Sequence, residues 1–152
     1  FEKWPGHRPE LLEALRQEAA GAVRSSEPQI YGSDVAAGAI ARARKNHARA
    51  GYSTEIAWRR GGVEELVNPC PGGPPGVLLG NPPYGERISD ARAVERLYHA
   101  LGDRLRAQFS GWECWLLVSE PGLDDAIGLE VGRRFMLKNG ALDVAATQFL
   151  VP

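Results

Sequence analysis

The chain has 152 residues and a net charge of −1, and 43% of its residues are hydrophobic and 24% charged. These values are ordinary for one folded domain with a single core, and they exclude a largely disordered chain. No apolar run approaches the roughly 20 residues that cross a bilayer, and no signal-peptide pattern opens the sequence, so we expect a cytoplasmic protein without membrane contact. The near-zero charge supplies no overall attraction to nucleic acid, so such binding would need a local basic surface or another domain.

The first half of the chain predicts two helices and two strands. Apolar residues recur at helical spacing over residues 9–24. A short apolar run at 29–33 ends on Asp34, and an alanine-rich helix follows that stops at Gly51. Residues 54–58 alternate polar and apolar side chains, which is typical of a strand.

The second half predicts a buried strand, a long helix and a closing hairpin. A loop rich in Pro and Gly at residues 68–76 leads into an apolar strand at 77–79. The most regular helical spacing covers residues 94–109, and 115–118 form the next strand. The pair Asn139-Gly140 is preferred in two-residue type I′ turns, so the last two strands should be antiparallel.

This order of elements predicts an α/β fold. Strands that alternate with helices favour a mostly parallel sheet, because parallel neighbours need long crossovers. The C-terminal hairpin adds an antiparallel edge to that sheet. No internal repeat is visible, so we treat residues 1–152 as one domain.

The two cysteines do not indicate a metal or disulfide site. Cys70 lies in the Pro/Gly-rich loop, and Cys114 lies between two tryptophans. Their spacing matches neither a metal-ligand pattern nor a disulfide framework. We expect two free thiols and no bound metal.

The segment Asn81-Pro82-Pro83-Tyr84 follows the predicted strand 77–79 directly. In an open α/β sheet, ligands bind at this carboxyl edge. A nucleobase amino group is a poor nucleophile until acceptors hold its protons, and Asn81 can supply a side-chain carbonyl. The prolines restrict the backbone, so that the carbonyl after Asn81 can be aimed at the same amine. Tyr84 offers a face on which an extruded base can stack.

The same tetrapeptide also has a purely structural interpretation. Asn and Pro are both common in turns, so the segment can be read as a rigid turn without chemistry. The strand before it and the long helix after it favour the functional interpretation, because together they place the segment at a ligand-binding edge.

The segment at 81–87, with Glu86 and Arg87 after Asn-Pro-Pro-Tyr-Gly, resembles the bacterial 23S ribosomal RNA guanine-N2 methyltransferases of the RlmL type, the THUMP-associated group. Similar stretches run along nearly the whole chain, and include residues 1–7, 31–34, 68–69, 109–112 and 138–142. Asn-Pro-Pro-Tyr alone would be shared with adenine-N6 methyltransferases. The extension through Arg87 and the remote matches favour guanine N2.

The resemblance implies a Rossmann-like class I methyltransferase fold, S-adenosylmethionine as the cofactor and RNA, in particular 23S rRNA, as the partner. Ser33 and Asp34 would bind the cosubstrate together with Asn81, with Asp34 on the ribose hydroxyls. The alternative for Asp34 is an N-cap of the next helix, and both roles are compatible. Tyr84, Glu86 and Arg87 would face the substrate, although an exposed ion pair also accounts for the last two.

Two features of the resembled family are not found in this sequence. The glycine-rich turn that follows the family's first strand is absent, so we expect a partial methyltransferase domain whose first strand lies outside the chain. Relatives tend to carry an Asp that accepts a hydrogen bond from the adenine amine near the position of Gly61-Gly62, and its loss weakens adenine recognition unless a neighbouring backbone carbonyl serves instead. We therefore expect the isolated chain to bind the cosubstrate weakly or not at all and to be inactive.

Three other functions are compatible with the sequence. An adenine- or cytosine-amino methyltransferase on DNA or RNA would use the same Asn-Pro-Pro-Tyr chemistry. A catalytically dead binding module would keep the fold for docking. A Rossmann-type dehydrogenase is conceivable from the fold, but it would leave Asn-Pro-Pro-Tyr unexplained.

Overall fold

A computed structural model describes residues 2–23, 29–51, 54–83, 91–118, 122–140 and 142–152. Tyr84, Glu86 and Arg87 lie outside these described residues. The elements are, in chain order, α1 (Pro9–Gly21), β1 (Ile30–Asp34), α2 (Ala37–Ala50), β2 (Ile56–Arg60), a 3₁₀ turn (Val63–Glu65), β3 (Val77–Gly80), α3 (Ala91–Gln108), β4 (Glu113–Val118), α4 (Leu123–Ile127), β5 (Glu130–Asn139) and β6 (Leu142–Leu150).

The described strands form two sheets. One sheet pairs β1 with β2, and these strands are parallel. The other has the order β3-β4-β6-β5, in which β3 and β4 are parallel and β6 is antiparallel to both of its neighbours. The α/β class is therefore confirmed, with parallel pairing in the first four strands and an antiparallel C-terminal part.

The closing hairpin forms, but its turn lies one residue later than predicted. Asn139 pairs with Leu142, so Asn139 belongs to the ladder of β5 and is not one of the turn residues. Gly140 has φ +65°, a left-handed conformation that glycine adopts without steric cost. Ala141 lies outside the described residues. The prediction of the turn position was wrong because one more residue joins the ladder of β5 and β6.

The core lies between α3 and one face of the four-stranded sheet. Helix α3 buries Val94, Tyr98, Leu101 and Leu105 at the spacing that the sequence predicts. Alternate residues of β4 meet them, and these are Cys114, Leu116 and Val118. The burial of Cys114 raises the pKa of its thiol from 9.0 to about 12, so this cysteine stays protonated at neutral pH, whereas Cys70 is only half-buried.

Helix α4 packs on α3 at an unusually close approach. A Cβ atom built on Gly102 of α3 would overlap the backbone carbonyl of Ile127 in α4. Arg106 donates from Nη1 to the carbonyls of Ile127 and Gly128 at 3.3 and 3.0 Å, which fixes the end of α4 to the same helix. Only glycine at position 102 allows this packing.

None of the described helices is long and apolar enough to span a membrane. Among the described residues, no group of three or more His, Cys, Asp or Glu side chains could hold a metal ion.

Candidate functional site

The Asn-Pro-Pro segment lies at the carboxyl end of β3. Asn81 is exposed, and Pro82 and Pro83 are half-buried. The preceding Gly80 packs against β4, since a Cβ atom on Gly80 would lie 2.7 Å from Cδ2 of Leu116. Glycine at this position therefore lets the end of β3 lie close to its neighbour and positions Asn81 at the edge of the sheet.

Asp34 occupies the corresponding position at the end of β1. Its carboxylate accepts a hydrogen bond from the backbone N–H of Ala36 at 2.7 Å, and Ala36 is the N-cap residue of α2. Asp34 is therefore not itself the N-cap, but it orders the turn that leads into the helix. The side chain is exposed, so hydroxyl groups of a ligand can reach its carboxylate.

The residues beside these two positions line one cavity of about 750 Å³. Ser33 lines the cavity from β1 and Leu79 lines it from β3, so Asp34 and Asn81 lie just beyond it along their strands. Most of the wall is apolar, and it also includes Ala57, Trp58, Val77, Leu78, Phe109 and Trp112. Along their strands, Asp34 lies one residue beyond Ser33, and Asn81 lies two residues beyond Leu79.

The aromatic wall of this cavity depends on Gly32. A Cβ atom on Gly32 would overlap the six-membered ring of Trp58, which lies across the neighbouring strand at the paired position. The absence of a side chain at position 32 lets the indole ring lie against the backbone of β1. This ring offers the cavity a planar apolar surface, which suits an aromatic ligand.

Glu65 is a candidate that the sequence did not reveal. Its carboxylate accepts a hydrogen bond from the backbone N–H of Gly62 at 3.1 Å, and Glu65 also lines the cavity. Gly61 and Gly62 follow β2 and have no side chains of their own, so Glu65 supplies a carboxylate at the place where the sequence lacks one. A Glu three residues after the N-cap residue is half of a capping box, since its side chain can accept from the N-cap backbone N–H, and this spacing is the signal that could have found Glu65.

A second polar cluster lies at the other end of β1. The Tyr31 hydroxyl contacts the Cys70 thiol at 3.2 Å and donates to Oε1 of Gln29 at 2.8 Å. The hydrogen bond to Cys70 raises the pKa of Tyr31, so the phenol stays neutral at physiological pH. Together these contacts tie the Pro/Gly-rich loop to β1.

Comparison with known proteins gives consistent results over the whole chain. Residues 2–148 match the model of the UPF0020 family, described as RMKL-like, methyltransferase domain. The chain is 38% identical, over 147 residues, to the ribosomal RNA large subunit methyltransferase K/L of Chromohalobacter salexigens. That alignment covers 94% of this chain and 20% of the relative, so the chain spans about a fifth of that protein's length.

Two solved structures extend the similarity to the fold. SMU.472, solved as a complex with SAH, superposes with a TM-score of 0.81 and 28% identity, over 100% of this chain and 40% of the other. A protein from Listeria monocytogenes, named as a predicted N6-adenine-specific DNA methylase, gives a TM-score of 0.74 and 27% identity, over 99% and 38% of the two chains. The arrangement of both sheets is thus that of methyltransferase structures. With the family model matched over residues 2–148, this chain belongs to the RMKL-like methyltransferase domain family.

Proposed function

We propose that this chain is part of an S-adenosylmethionine-dependent methyltransferase that methylates the exocyclic N2 amine of a guanine in ribosomal RNA. The observation that carries the proposal is that Asn81-Pro82-Pro83 follows β3 directly, two residues beyond Leu79, which lines the cavity together with Ser33. The name of the Chromohalobacter relative supports ribosomal RNA as the substrate class. The choice of guanine N2 rests on the segment 81–87.

Asn81 is assigned the role of hydrogen-bond acceptor for the amino group of the target base. Its side-chain carbonyl holds one N–H of the base, and the backbone carbonyl that follows it holds the other. These contacts favour a pyramidal nitrogen whose lone pair is directed away from the ring. Pro82 and Pro83 keep the backbone extended, so the geometry exists before the base arrives.

The cavity fits the cosubstrate that this reaction needs. S-adenosylmethionine, when bound, supplies a methyl group on a positively charged sulfur. We assign to Asp34, the residue after Ser33, the hydrogen bonds to the ribose hydroxyls; its exposed carboxylate supports this role. We assign the adenine ring to the apolar wall around Trp58, and we assign the hydrogen bond from the adenine amine to the Glu65 carboxylate, since no Asp stands at Gly61-Gly62.

The substrate side of the proposed site includes residues outside the described part of the chain. Tyr84 would stack on the extruded base, an interaction of about 1–3 kcal/mol. Glu86 and Arg87 would contact the RNA beyond it. We place the reaction in the cytoplasm, where ribosomal RNA of a bacterial cell is modified.

The base specificity is tested by methylated-nucleoside analysis. Ribosomal RNA from a strain that lacks the gene is incubated with the full-length protein and labelled S-adenosylmethionine, and the nucleosides are identified by mass spectrometry. We expect N2-methylguanosine as the labelled product. Label in N6-methyladenosine would reject guanine specificity and would favour the alternative that the name of the Listeria protein suggests.

The isolated chain should bind S-adenosylmethionine weakly or not at all and transfer no methyl group. The reason is that the chain carries no glycine-rich turn to hold the methionine part of the cosubstrate. Isothermal titration calorimetry on residues 1–152 measures this directly, with the full-length protein as the positive control. A dissociation constant in the micromolar range for the isolated chain would contradict the prediction.

A further inference from the structure

Arg104 of α3 contacts the turn that follows β2. Its Nε and Nη2 atoms both donate to the backbone carbonyl of Leu66, at 2.9 and 2.6 Å. The guanidinium is half-buried. A charged fork that donates twice to one main-chain oxygen holds that oxygen more firmly than a neutral donor would. Arg104 therefore fixes the position of the backbone at Leu66.

The backbone that Arg104 holds belongs to one wall of the cavity. Leu66 directly follows the 3₁₀ turn, and its N–H donates to the carbonyl of Val63 at 3.0 Å. Val63 and Leu66 pack against the buried cluster around α3, and Leu66 lines the cavity together with Glu65. The residue next to the anchored carbonyl is thus the one that brings a carboxylate to the cavity.

The position of the Glu65 carboxylate depends on two sets of contacts. Within the turn, it accepts from the N–H of Gly62, and a Cβ atom on Gly61 would lie 2.8 Å from its Oε2. These contacts orient the carboxylate only relative to its own turn, and the side chain is exposed. Arg104 fixes the turn relative to α3 through the Leu66 carbonyl, and so joins the segment after the two-stranded sheet to the helix that covers the four-stranded sheet.

We infer that Arg104 is a positioning residue for recognition of the adenine of the cosubstrate. By holding the Leu66 carbonyl, it keeps the Glu65 carboxylate where it accepts a hydrogen bond from the adenine amine. This inference rests on the proposed function, in which Glu65 has that role. Arg104 acts through the turn and not on the cosubstrate itself. A merely structural role would instead weaken the binding of every ligand of the pocket alike.

The test compares two ligands of the full-length protein by isothermal titration calorimetry. One is S-adenosylhomocysteine, and the other is S-inosylhomocysteine, whose purine has a carbonyl oxygen in place of the amine. The wild-type protein should prefer the adenosyl ligand by about tenfold or more, because a carboxylate accepts from the amine and repels the oxygen. Arg104→Met should remove this preference by lowering the affinity for the adenosyl ligand about tenfold while changing that for the inosyl ligand less than about threefold.

Three further variants separate positioning from stability. Arg106→Met is the matched control, because Arg106 lies on the same helix and donates to the carbonyls of Ile127 and Gly128, neither of which lines the cavity. It should keep the wild-type preference. Arg104→Lys should keep the preference to within about threefold, since one ammonium can still donate to the carbonyl. Glu65→Gln should lose it, because an amide can pair with either purine. Thermal unfolding followed by circular dichroism confirms that each variant folds.

Four outcomes would overturn the inference. They are an unchanged preference in Arg104→Met, an equal loss of both ligands in that variant, a similar loss of preference in Arg106→Met, and no preference in the wild-type protein. None of these binding measurements involves RNA or methyl transfer. Formation of N2-methylguanosine by the wild-type protein would stand in each case, so failure here is distinguishable from failure of the proposed function.

Discussion

Replacing Asn81 by Ala should reduce the rate of methyl transfer by about 10²–10³-fold, the range seen when one preorganised hydrogen-bonding group is removed from an active site. The loss should appear in kcat, because the carbonyl of Asn81 acts on the amine as it becomes nucleophilic. Stability should change little, since Asn81 is exposed and lies outside the buried cluster around α3. The measurement is single-turnover methylation of ribosomal RNA by the full-length variant.

Asn46→Ala is the matched control for that experiment. Asn46 is an exposed asparagine in the middle of α2, away from the end of β3. It should keep wild-type activity. If Asn81→Ala keeps full activity while remaining folded, the acceptor role is rejected, and the Asn-Pro-Pro segment becomes a rigid turn. Retention of partner binding with no methylation in the wild-type protein would favour a catalytically dead binding module.

Gly102→Ala should destabilise the fold by about 3 kcal/mol or more, at the upper end of the range for overpacked cores. An alanine is normally favoured over glycine in the interior of a helix, by about 1 kcal/mol. Here the added Cβ would overlap the backbone carbonyl of Ile127, which cannot rotate away as a side chain can. Helix α4 would have to move, and the contacts of Arg106 with Ile127 and Gly128 would be lost with it.

The thermal midpoint of Gly102→Ala should fall by at least about 6–12 °C, given about 2–4 °C per kcal/mol for a chain of this size. Thermal unfolding followed by circular dichroism measures this change. Gly21→Ala is the control, because Gly21 is also helical and a Cβ atom there meets nothing within 4 Å. An unchanged or raised midpoint for Gly102→Ala would show that α3 and α4 are not packed as closely as described.

The candidate site was predictable only in part, for a physical reason. Asn81 could be found because it follows an apolar strand, and ligand-binding residues gather at the carboxyl ends of parallel strands. Asp34, the last residue of β1, was assigned its role by the resemblance to the methyltransferase family. Glu65 could not be identified in this way, since it reaches the cavity by folding back onto the backbone of Gly62. Whether the Glu65 side chain reaches the cavity depends on the direction of the 3₁₀ turn that carries it.

The hairpin shows the same limit. Its existence followed from Asn139-Gly140, but Asn139 pairs with Leu142 and therefore belongs to β5 and not to the turn. Register is fixed by which side chains fit on each face of the sheet, and local turn preference cannot settle it.

The sequence by itself determined the α/β class, the order of helices and strands along most of the chain and the positions of Asn81 and Asp34. These follow from hydrophobic periodicity and from local backbone preferences, which act over a few residues. Only the tertiary structure decided the separation into two sheets, the cavity between β1 and β3 and the contact of Gly102 with Ile127. Those features depend on contacts between segments far apart in the chain, and periodicity carries no information about which faces meet.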